Sequence, residues 1–509
     1  MELGLESFRG QGAAALLGRV MVKSFDASKA QKMPGVKKVV KVGESGGAVI
    51  ADTWWHAKTA LDALPVVWDE GPGAKVSSAT IAAMLKEGLD AETPLVGNKG
   101  GDITAALAGA AKKVEAVYAY PYQNHACMEP LNATARYTAD KCEVWTSTQN
   151  AEAVLAAARE ASGLPFDKVE VNLVSAGGGF GRRARTDYVT QAVLIAKQMP
   201  GTPVKLLWSR EEDMTQGTYH PTTMCKLTAA LDKDNNVTGL RVRISGQSIL
   251  AGIAPARLQN GRDPATFQGL NPGGAEGRLG YDIPNVLIDH AMRNPHLTPG
   301  FWRGVNNNQN AIYLECFLDE AAHAAGQDPL EFRRKMMAKH PKHLAVLNAA
   351  AERAGYGKPL PKGVFRGIAQ QMGYGSYVAA VAEVSVSSDG LLTIHRIVGA
   401  TDPGHVANPM LVERQIAGSF MFGLSAILYG GCTVKDGRIE QTNFHNYNSM
   451  RMAAMPKVET VLVPSGGFWG GVGEPTICVV VPAIMNAIHA ATGKPVRSLP
   501  LSTVGMTLV

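Results

Sequence analysis

The 509-residue chain has little of what several common protein classes require. Its six cysteines are scattered without a Cys-x-x-Cys pair, which argues against an iron–sulfur cluster, a zinc knuckle or a disulfide framework within this chain. Charged residues make up 18% of the sequence and the formal net charge is +6, so no concentrated basic face for nucleic acid is indicated. No apolar run approaches the roughly 18 residues of a membrane span, and the densest run, 477–485, is interrupted by Pro482.

The amino terminus also lacks a feature that would assign a compartment. Residues 1–18 have no charged start followed by a long apolar region, so no signal peptide is indicated, and both a cytoplasmic and a periplasmic location stay open. The length predicts two or three packed units rather than one core. What the chain does have is glycine, with 55 residues that cluster in loops where backbone can approach a ligand closely.

Two glycine-rich loops are the most informative segments. Gly177–Arg183 reads Gly-Gly-Gly-Phe-Gly-Arg-Arg and is predicted to join a strand to a helix, which is a common place for anion sites. Gly470–Pro475 reads Gly-Gly-Val-Gly-Glu-Pro and holds Glu474 between glycine and proline, stiffly enough for a general base. Either loop alone is as well explained by an ordinary turn. Three arginines at the first loop favour a local anion such as a pyrophosphate: Arg182, Arg183 and Arg185.

The hydrophobic periodicity predicts a mixed succession of strands and helices. Strands are expected at 36–42, 48–51, 65–68, 114–120, 169–174, 379–387 and 392–400. Helices are expected at 54–63, 79–87, 151–161, 188–197, 314–325, 330–338, 409–423 and 482–491. The last helix would have Pro482 at its first position and Gly493 just past its end. Residues 70–109 are expected to be a polar linker with a single helix.

Further motifs accompany the two loops: Met128-Glu129-Pro130, Trp145–Gln149, Phe301-Trp302-Arg303-Gly304 and Asp328–Arg333. In this order, over residues 20–505, the segments resemble the molybdenum-cofactor-binding large subunit of the xanthine dehydrogenase/aldehyde oxidase family. The resemblance is strongest to the branch of isoquinoline 1-oxidoreductase beta subunits and membrane-associated aldehyde dehydrogenases. It implies an α+β fold, in which a partial α/β hammerhead domain precedes two mixed α+β molybdopterin-binding domains.

The resemblance also divides the chain. Residues 1–19 are an unmatched leader, 20–112 a partial hammerhead-like domain and linker, 113–361 the first cofactor-binding domain, and 362–509 the second. The Gln-Gly-containing pterin loop that this branch keeps near its amino terminus is absent, since Gly10-Gln11-Gly12 lies in the leader. We therefore expect that an N-terminal part of the family's large subunit is missing from this chain, and is either supplied by another polypeptide or lost.

The same resemblance assigns the site residues. Glu474 matches the base that deprotonates the water-derived nucleophile, and Gln149 matches a glutamine that donates a hydrogen bond beside the metal. Arg303 matches a residue that contacts the pterin or polarises the substrate, and a structural salt bridge explains it equally well. The other cofactor-binding positions implied are Gly178, Gly179, Phe180, Gly181, Arg182, Gly304, Gly471 and Gly473. No side chain is expected to ligate the metal, and the Glu320/His323 pair is interpreted as structural.

The implied cofactor is molybdenum-molybdopterin, expected in its cytosine dinucleotide form, with no iron–sulfur cluster in this chain. The implied partner is a small [2Fe-2S] subunit, with a cytochrome c as a candidate electron acceptor. The implied substrate is an aldehyde or an N-heterocycle, and Ala184 stands where purine-oxidising relatives carry a carboxylate, which argues against a purine. Two alternatives stay open: a truncated or degenerate subunit that folds with a partner but lacks a complete pterin site, and a general anion- or nucleotide-binding α+β protein.

Overall fold

The computed structural model describes residues 3–9, 21–272 and 278–508, so Gly10-Gln11-Gly12 lies outside the described residues. Numbered along the chain, the described strands are β1 (Leu3–Arg9), β2 (Met21–Phe25), β3 (Val36–Val42), β4 (Gly46–Ala51), β5 (Val66–Asp69), β6 (Leu95–Gly100), β7 (Lys112–Tyr120), β8 (Asn132–Tyr137), β9 (Cys142–Thr146), β10 (Val169–Leu173), β11 (Val204–Leu207), β12 (Thr223–Leu231), β13 (Val237–Gly246), β14 (Asn285–Met292), β15 (Phe365–Gly373), β16 (Ser376–Val386), β17 (Leu391–Asp402), β18 (Val434–Lys435), β19 (Arg438–Ile439), β20 (Lys457–Leu462) and β21 (Thr507–Leu508).

The described α-helices are α1 (Trp54–Asp62), α2 (Ser78–Gly88), α3 (Ile103–Ala108), α4 (Ala151–Ser162), α5 (Asp187–Ala196), α6 (Arg210–Thr215), α7 (Ile249–Ile253), α8 (Asn307–Ala324), α9 (Pro329–Met336), α10 (Pro341–Ala354), α11 (Pro409–Leu424) and α12 (Ile477–Thr492). The fold is mixed α+β, as expected. None of the described helices is both long enough and apolar enough to cross a bilayer. The predicted helices and strands are present with small shifts at their ends, except that the last helix and α8 begin earlier than predicted, α8 at Asn307 instead of 314.

The largest sheet joins the amino-terminal segment to the first predicted cofactor-binding domain. Its strand order is β10-β9-β8-β11-β1-β4-β3. β1 falls in the segment predicted as an unmatched leader, yet it runs parallel to β11 and antiparallel to β4. The hammerhead-like strands β3 and β4 are therefore continuous with β8–β11 in one sheet. The division of the chain at residue 112 stays a prediction.

A second sheet, of order β6-β14-β13-β12-β7, corrects the prediction of a one-helix linker over 70–109. That segment also contains α3 and β6, and β6 pairs antiparallel with β14. The sequence of β6, Leu95-Val96-Gly97-Asn98-Lys99-Gly100, lacks a clear apolar alternation, so periodicity does not detect it. Asn98 is buried there, and its Nδ2 donates to the carbonyl oxygen of Leu270 at 2.9 Å.

The third sheet, of order β15-β16-β17-β20, is covered by α12, which in turn packs against α8. The prediction that the last helix begins at Pro482 is wrong, because α12 begins at Ile477 and contains the proline. An internal proline costs about 3 kcal/mol. Burying an apolar side chain contributes about 1.5–3 kcal/mol, and every residue from Ile477 to Val481 is buried, so packing outweighs the lost hydrogen bond.

Two packed helices bring the sequence motifs together. α8 follows Phe301-Trp302-Arg303-Gly304 closely in the chain, and α12 follows Gly470–Pro475. Because α8 and α12 contact each other, the loops at their amino-terminal ends lie side by side. The fold thereby creates one site from segments that are far apart in the sequence.

Candidate active site

A cavity of about 640 Å³ collects most of the predicted site residues. This volume lies within the range of small-molecule sites, roughly 300–1,000 Å³. The predicted residues that line it are Gln149, Phe180, Gly181, Arg303, Gly473 and Glu474, with Ala184 among the other lining residues. Five further predicted positions are not in the lining: Gly178, Gly179, Arg182, Gly304 and Gly471.

Glu474 is fixed by the loop opposite its own. Its Oε1 accepts a hydrogen bond from the backbone N–H of Gly304 at 3.0 Å, and its side chain is half-buried. α12 begins at Ile477, closer to Glu474 than the predicted start at Pro482. The carboxylate is nevertheless bonded to Gly304, and α12 receives only the backbone carbonyl of Glu474, from the N–H of Ile477 at 3.3 Å. The carboxylate is therefore held toward the cavity.

Arg303 braces the Glu474 loop. Its Nε donates to the carbonyl oxygen of Gly473 at 2.6 Å, and its Nη2 donates to Oε1 of Gln415 on α11 at 2.9 Å. Burial lowers the pKa of Arg303, and the charge of Glu474 opposes this effect. Within the described part of the chain no carboxylate lies within salt-bridge distance of the guanidinium, so the simple salt-bridge interpretation does not describe it.

Gln149 and the first glycine loop are locked together. The backbone N–H of Gly181 donates to Oε1 of Gln149 at 2.9 Å, which leaves the amide NH₂ as the polar end for the cavity. A Cβ on Gly179 would overlap the Gln149 side chain, and a Cβ on Gly181 would overlap the carbonyl oxygen of Phe301. Gly181 also has φ +105°, which other residues rarely adopt. Glycine is required here because the segments approach so closely.

Arg182 and Arg183, for which the sequence favours a local anion, are both paired inside the protein. Both side chains are buried, and Arg182 forms a two-pronged bond to Asp187, with N–O distances of 3.0 and 2.8 Å. Arg183 donates through Nη2 to Oε2 of Glu129 at 2.7 Å and through Nε to the carbonyl oxygen of Gly178 at 2.7 Å. Buried guanidinium groups must be paired, and these are paired inside the protein. They fasten the glycine loop instead of facing a ligand.

Aromatic rings form one wall of the cavity. The ring of Phe180 stacks on that of Phe422 with centroids 4.0 Å apart and 17° between the planes. Phe422 stacks in turn on Trp302, with centroids 4.6 Å apart and 19° between the planes. Phe422 lies on α11 and was not predicted, since an apolar residue on a helix gives no site signal. Phe180 and Trp302 line the cavity and Phe422 supports them, so the stack makes this wall apolar.

Backbone strain is concentrated around the cavity. Three non-glycine residues that line it have positive φ, namely Phe180 at 52°, Val305 at 49° and Tyr374 at 54°. Such conformations cost about 1–3 kcal/mol each and are found mainly at functional sites. The strain indicates that the surrounding contacts impose this shape.

Tyr374 is the lining residue that sequence reasoning missed most clearly. Its hydroxyl is buried without a hydrogen-bond partner of good geometry. Burial, and then the charge of Glu474, raise the pKa of Tyr374, so the hydroxyl stays protonated and can donate. The sequence pattern could have identified Tyr374, because it stands between Gly373 and Gly375, much as Glu474 follows Gly473.

The comparisons with known proteins define the class of this site. Residues 90–337 and 318–456 each match the family description of a molybdopterin cofactor-binding domain. The isoquinoline 1-oxidoreductase β-subunit of Brevundimonas diminuta is 29% identical over 497 residues, which cover 94% of this chain and 62% of that protein. The membrane-bound aldehyde dehydrogenase of Gluconacetobacter polyoxogenes is 27% identical, over 94% of this chain and 66% of that protein. The chain belongs to the molybdopterin-binding large subunits of the xanthine dehydrogenase family.

Solved structures show the same fold. The aldehyde oxidoreductase of Desulfovibrio gigas superposes with a TM-score of 0.77 at 18% identity, covering 98% of this chain and 76% of that one. Quinoline 2-oxidoreductase of Pseudomonas putida 86 gives a TM-score of 0.77 at 14% identity, over 98% and 93% of the two chains. The chain spans less than two thirds of the length of the two curated relatives compared above.

The cavity has the features that a molybdopterin group requires. The Gln149 amide and the Tyr374 hydroxyl, which has no hydrogen bond of good geometry, both lie at the cavity as donors for an oxygen-rich ligand. At Gly473 an added Cβ would meet nothing within 4 Å, so backbone there faces open space that a ligand can approach. The residues present therefore fit the cofactor of the family.

Proposed function

We propose that this chain is the cofactor-binding large subunit of a molybdenum hydroxylase that oxidises an aldehyde or hydroxylates a carbon of an N-heteroaromatic ring with water. The relatives named for isoquinoline and aldehyde oxidation support this reaction class. The observation that carries the proposal is the position of Glu474, whose Oε1 is held by the Gly304 N–H at the cavity that also contains Gln149.

The residues of the chain have separate tasks in this reaction. When bound, the molybdenum cofactor supplies the two-electron acceptor and activates water for attack. Glu474 takes the proton from the nucleophile at its carboxylate, and the Gly304 N–H keeps that carboxylate in place. Gln149 donates from its amide, because its oxygen is already bonded to Gly181. Tyr374 keeps its proton and supplies a donor beside Glu474.

The lining supports a neutral, flat substrate. Arg303 and Glu474 are the charged side chains of the described lining, and Arg303 is already bonded to Gly473 and Gln415. The Phe180–Phe422–Trp302 stack offers an apolar face to a ring or to an aldehyde chain. Ala184 places no carboxylate in the cavity for a purine to contact.

Electrons would leave through a separate small [2Fe-2S] subunit, with a cytochrome c as a candidate acceptor. Relatives named as subunits support a multisubunit enzyme, and one of them is a nicotinate dehydrogenase chain of Pseudomonas putida at 25% identity. We further propose the cytosine dinucleotide form of the cofactor. The catalytic and cofactor-binding roles of Glu474, Gln149, Phe180, Gly181, Arg303 and Gly473 are part of this proposal.

The test is to measure molybdenum, pterin and cytosine nucleotide in the full chain, produced with and without a co-expressed small subunit. Preparations are then assayed with aldehydes and N-heterocycles using an artificial electron acceptor. We expect cofactor content and turnover in the complex. Folded protein without molybdenum in either preparation would favour a non-catalytic subunit, and stabilisation by phosphate without molybdenum would favour a general anion-binding protein. Both outcomes contradict the proposal.

A further inference from the structure

Three metal-ligating side chains meet where the carboxyl-terminal ends of α8 and α12 pack together. Asp319 and His323 lie one turn apart on α8, and His489 lies in the last turn of α12. Oδ2 of Asp319 is 3.3 Å from Nδ1 of His489 and 3.4 Å from Nδ1 of His323. One ligand atom of each residue lies within 4.8 Å of the others, a grouping of three found nowhere else in the described part of the chain.

The spacing of these atoms fits a tetrahedral metal site. Zinc binds histidine nitrogen and carboxylate oxygen at roughly 2.0–2.2 Å, so tetrahedral ligands lie roughly 3.3–3.5 Å apart. The observed separations of 3.3 and 3.4 Å match this edge, and the Asp319–His489 pair at 3.3 Å is also a hydrogen bond. The two imidazole rings are neighbours, with centroids 4.3 Å apart. Both rings are therefore close enough to share one ion with Asp319.

The surroundings favour a positive charge. The Asp319 side chain is only 2% exposed, and it lies near the carboxyl-terminal ends of two helices, where the helix dipoles are negative. Arg333 lies 3.7 Å from Oδ1 of Asp319, but its Nε donates to the buried carboxylate of Glu315 at 2.8 Å. Two carboxylates thus share one guanidinium. The local excess of negative charge is what a bound cation would balance.

The exposure of His323 and the types of the three ligands are also consistent with a metal site. The His323 side chain is 40% exposed, so an ion can enter there and a water can complete the coordination. Nδ1 of His323 also contacts the carbonyl oxygen of Asp319 at 2.8 Å, so an ion at this nitrogen would replace that hydrogen bond. Two imidazoles with one carboxylate suit zinc and similar transition metals better than magnesium or calcium.

We propose that Asp319, His323 and His489 bind one divalent transition-metal ion, zinc by preference, and that this ion fastens α8 to α12. The site is separate from the molybdenum chemistry. α8 extends about 24 Å from Asn307 to His323 at a rise of about 1.5 Å per residue, so the ion lies at the far end of the helix from the Arg303-Gly304 loop. Its role is to hold together the two helices that carry the loops of the cavity.

The test uses the full chain without an affinity tag, treated with a chelator and then titrated with Co²⁺ and Zn²⁺. Co²⁺ absorption reports tetrahedral coordination, and Zn²⁺ is followed by metal analysis and thermal unfolding. We expect one equivalent of metal, a higher Tm with Zn²⁺, and at least about tenfold weaker binding in His323→Ala. Molybdenum content is measured separately and is expected to be the same in both proteins.

The matched control is His56→Ala. His56 and Asp52 also form an i,i+4 pair, with Nδ1 and Oδ1 2.6 Å apart, but no third ligand accompanies them among the described residues. Because His323 and His56 are both partly exposed, both variants are expected to fold with the wild-type Tm in the absence of metal. Undiminished binding in His323→Ala, loss of binding in His56→Ala, or no saturable binding to the wild type would each overturn the proposal.

Discussion

The two glycine-rich loops of the cavity look alike in sequence but differ in how they are built. In Gly177–Arg183, added Cβ atoms at Gly179 and Gly181 would overlap other segments, and two buried arginines hold the loop from behind. In Gly470–Pro475, an added Cβ at Gly470 would overlap Gly375 and Ser376, whereas one at Gly473 would meet nothing within 4 Å. Glu474 accepts a hydrogen bond from the Gly304 N–H and lies beside the Tyr374 hydroxyl. The first loop is closely packed at both of its inner glycines, whereas the second is closely packed at Gly470 and open where it presents Glu474.

The largest effect on turnover is expected from a substitution of Glu474 in the second loop. Glu474→Gln should lower kcat by more than about 10⁴-fold, because activation of the nucleophile fails together with ordinary base catalysis. The amide still accepts from Gly304, so cofactor content and Tm should stay at the wild-type value. Glu413→Gln, at an exposed position on α11, is the matched control and should be fully active. Near-normal turnover of the Glu474 variant would remove the assignment.

The next largest effect is expected on stability, from a substitution in the first loop. Gly181→Ala places a methyl group against the carbonyl oxygen of Phe301 at a backbone conformation that alanine avoids. We expect a loss of about 2–6 kcal/mol in the free energy of unfolding, combining strain of about 1–3 kcal/mol with overpacking of about 1–3 kcal/mol. Molybdenum occupancy should fall as well. Chemical denaturation and metal analysis measure both, and an unchanged unfolding midpoint would mean that the loop is loosely packed.

The loop that faces both glycine loops is supported by buried histidines, which makes it sensitive to acid. Burial lowers the pKa of His125 to about 3 and that of His220 to about 4, and their Nε2 atoms contact the carbonyl oxygens of Phe301 and Val305. The unfolded chain takes up these protons near pH 6.5, so stability is full above that pH and is lost as pH falls toward the two folded values. At about pH 5 each histidine should remove about 2 kcal/mol.

Urea unfolding at a series of pH values measures this slope, and His220→Gln should reduce it over the range between the unfolded and folded pKa values. Part of the slope should remain, because burial also lowers the pKa of His125 and of His290. The same slope in wild type and variant would show that His220 is already protonated in the folded protein.

A smaller effect is expected at Tyr374, which shares the second loop's surroundings. Tyr374→Phe removes a buried hydroxyl that lies beside Glu474 and Gln268. A hydrogen bond to a charged group contributes about 1.5–3 kcal/mol, so kcat should fall by about 10–100-fold with little change in KM. The pH profile of kcat should change too, which a purely structural role would not cause. An unaltered kcat and pH profile would mean that the hydroxyl does not serve Glu474.

The smallest effect on stability is expected for a substitution at Gly473 in the second loop. Gly473→Ala adds a methyl group in open space, at a position without positive φ. The free energy of unfolding should change by less than about 0.5 kcal/mol. Measured beside Gly181→Ala, it tests directly whether the two loops differ. Equal destabilisation by both substitutions would show that Gly181 and Gly473 are packed equally closely.

Sequence motifs identified the candidate catalytic and cofactor-binding residues better than the residues that pack around them. Glu474, Gln149 and Arg303 line one cavity, because glycine, proline and short motifs carry local information. The charge of Arg182 is visible in the sequence, but its burial beside Asp187 is not. Tyr374 lines the cavity, and Phe422 packs behind its wall, only because of tertiary packing. Periodicity also missed β6, whose short polar sequence is stabilised by pairing with β14.

Long-range packing explains the remaining differences. Pro482 reads as a helix start, yet burial of Ile477–Val481 extends α12 toward the cavity. His323 reads as an isolated helical histidine, because its neighbour His489 is distant in sequence. Neither outcome follows from local propensity, since both depend on how α12 packs against α8 and the third sheet.

The lining residues of the cavity are far apart in the sequence, so they are synthesised at different times. Its lining runs from Gln149 to Glu474, and no single stretch of the chain contains more than a part of it. Ribosomes add roughly 5–20 residues per second, so the first lining residue is made roughly 15–65 s before the last. During that interval β8–β11 can fold while the wall that carries Glu474 does not yet exist. Cofactor insertion must therefore be a late, post-translational event, and nascent chains depend on chaperones or on rapid completion to keep the unfinished cavity from misassembly.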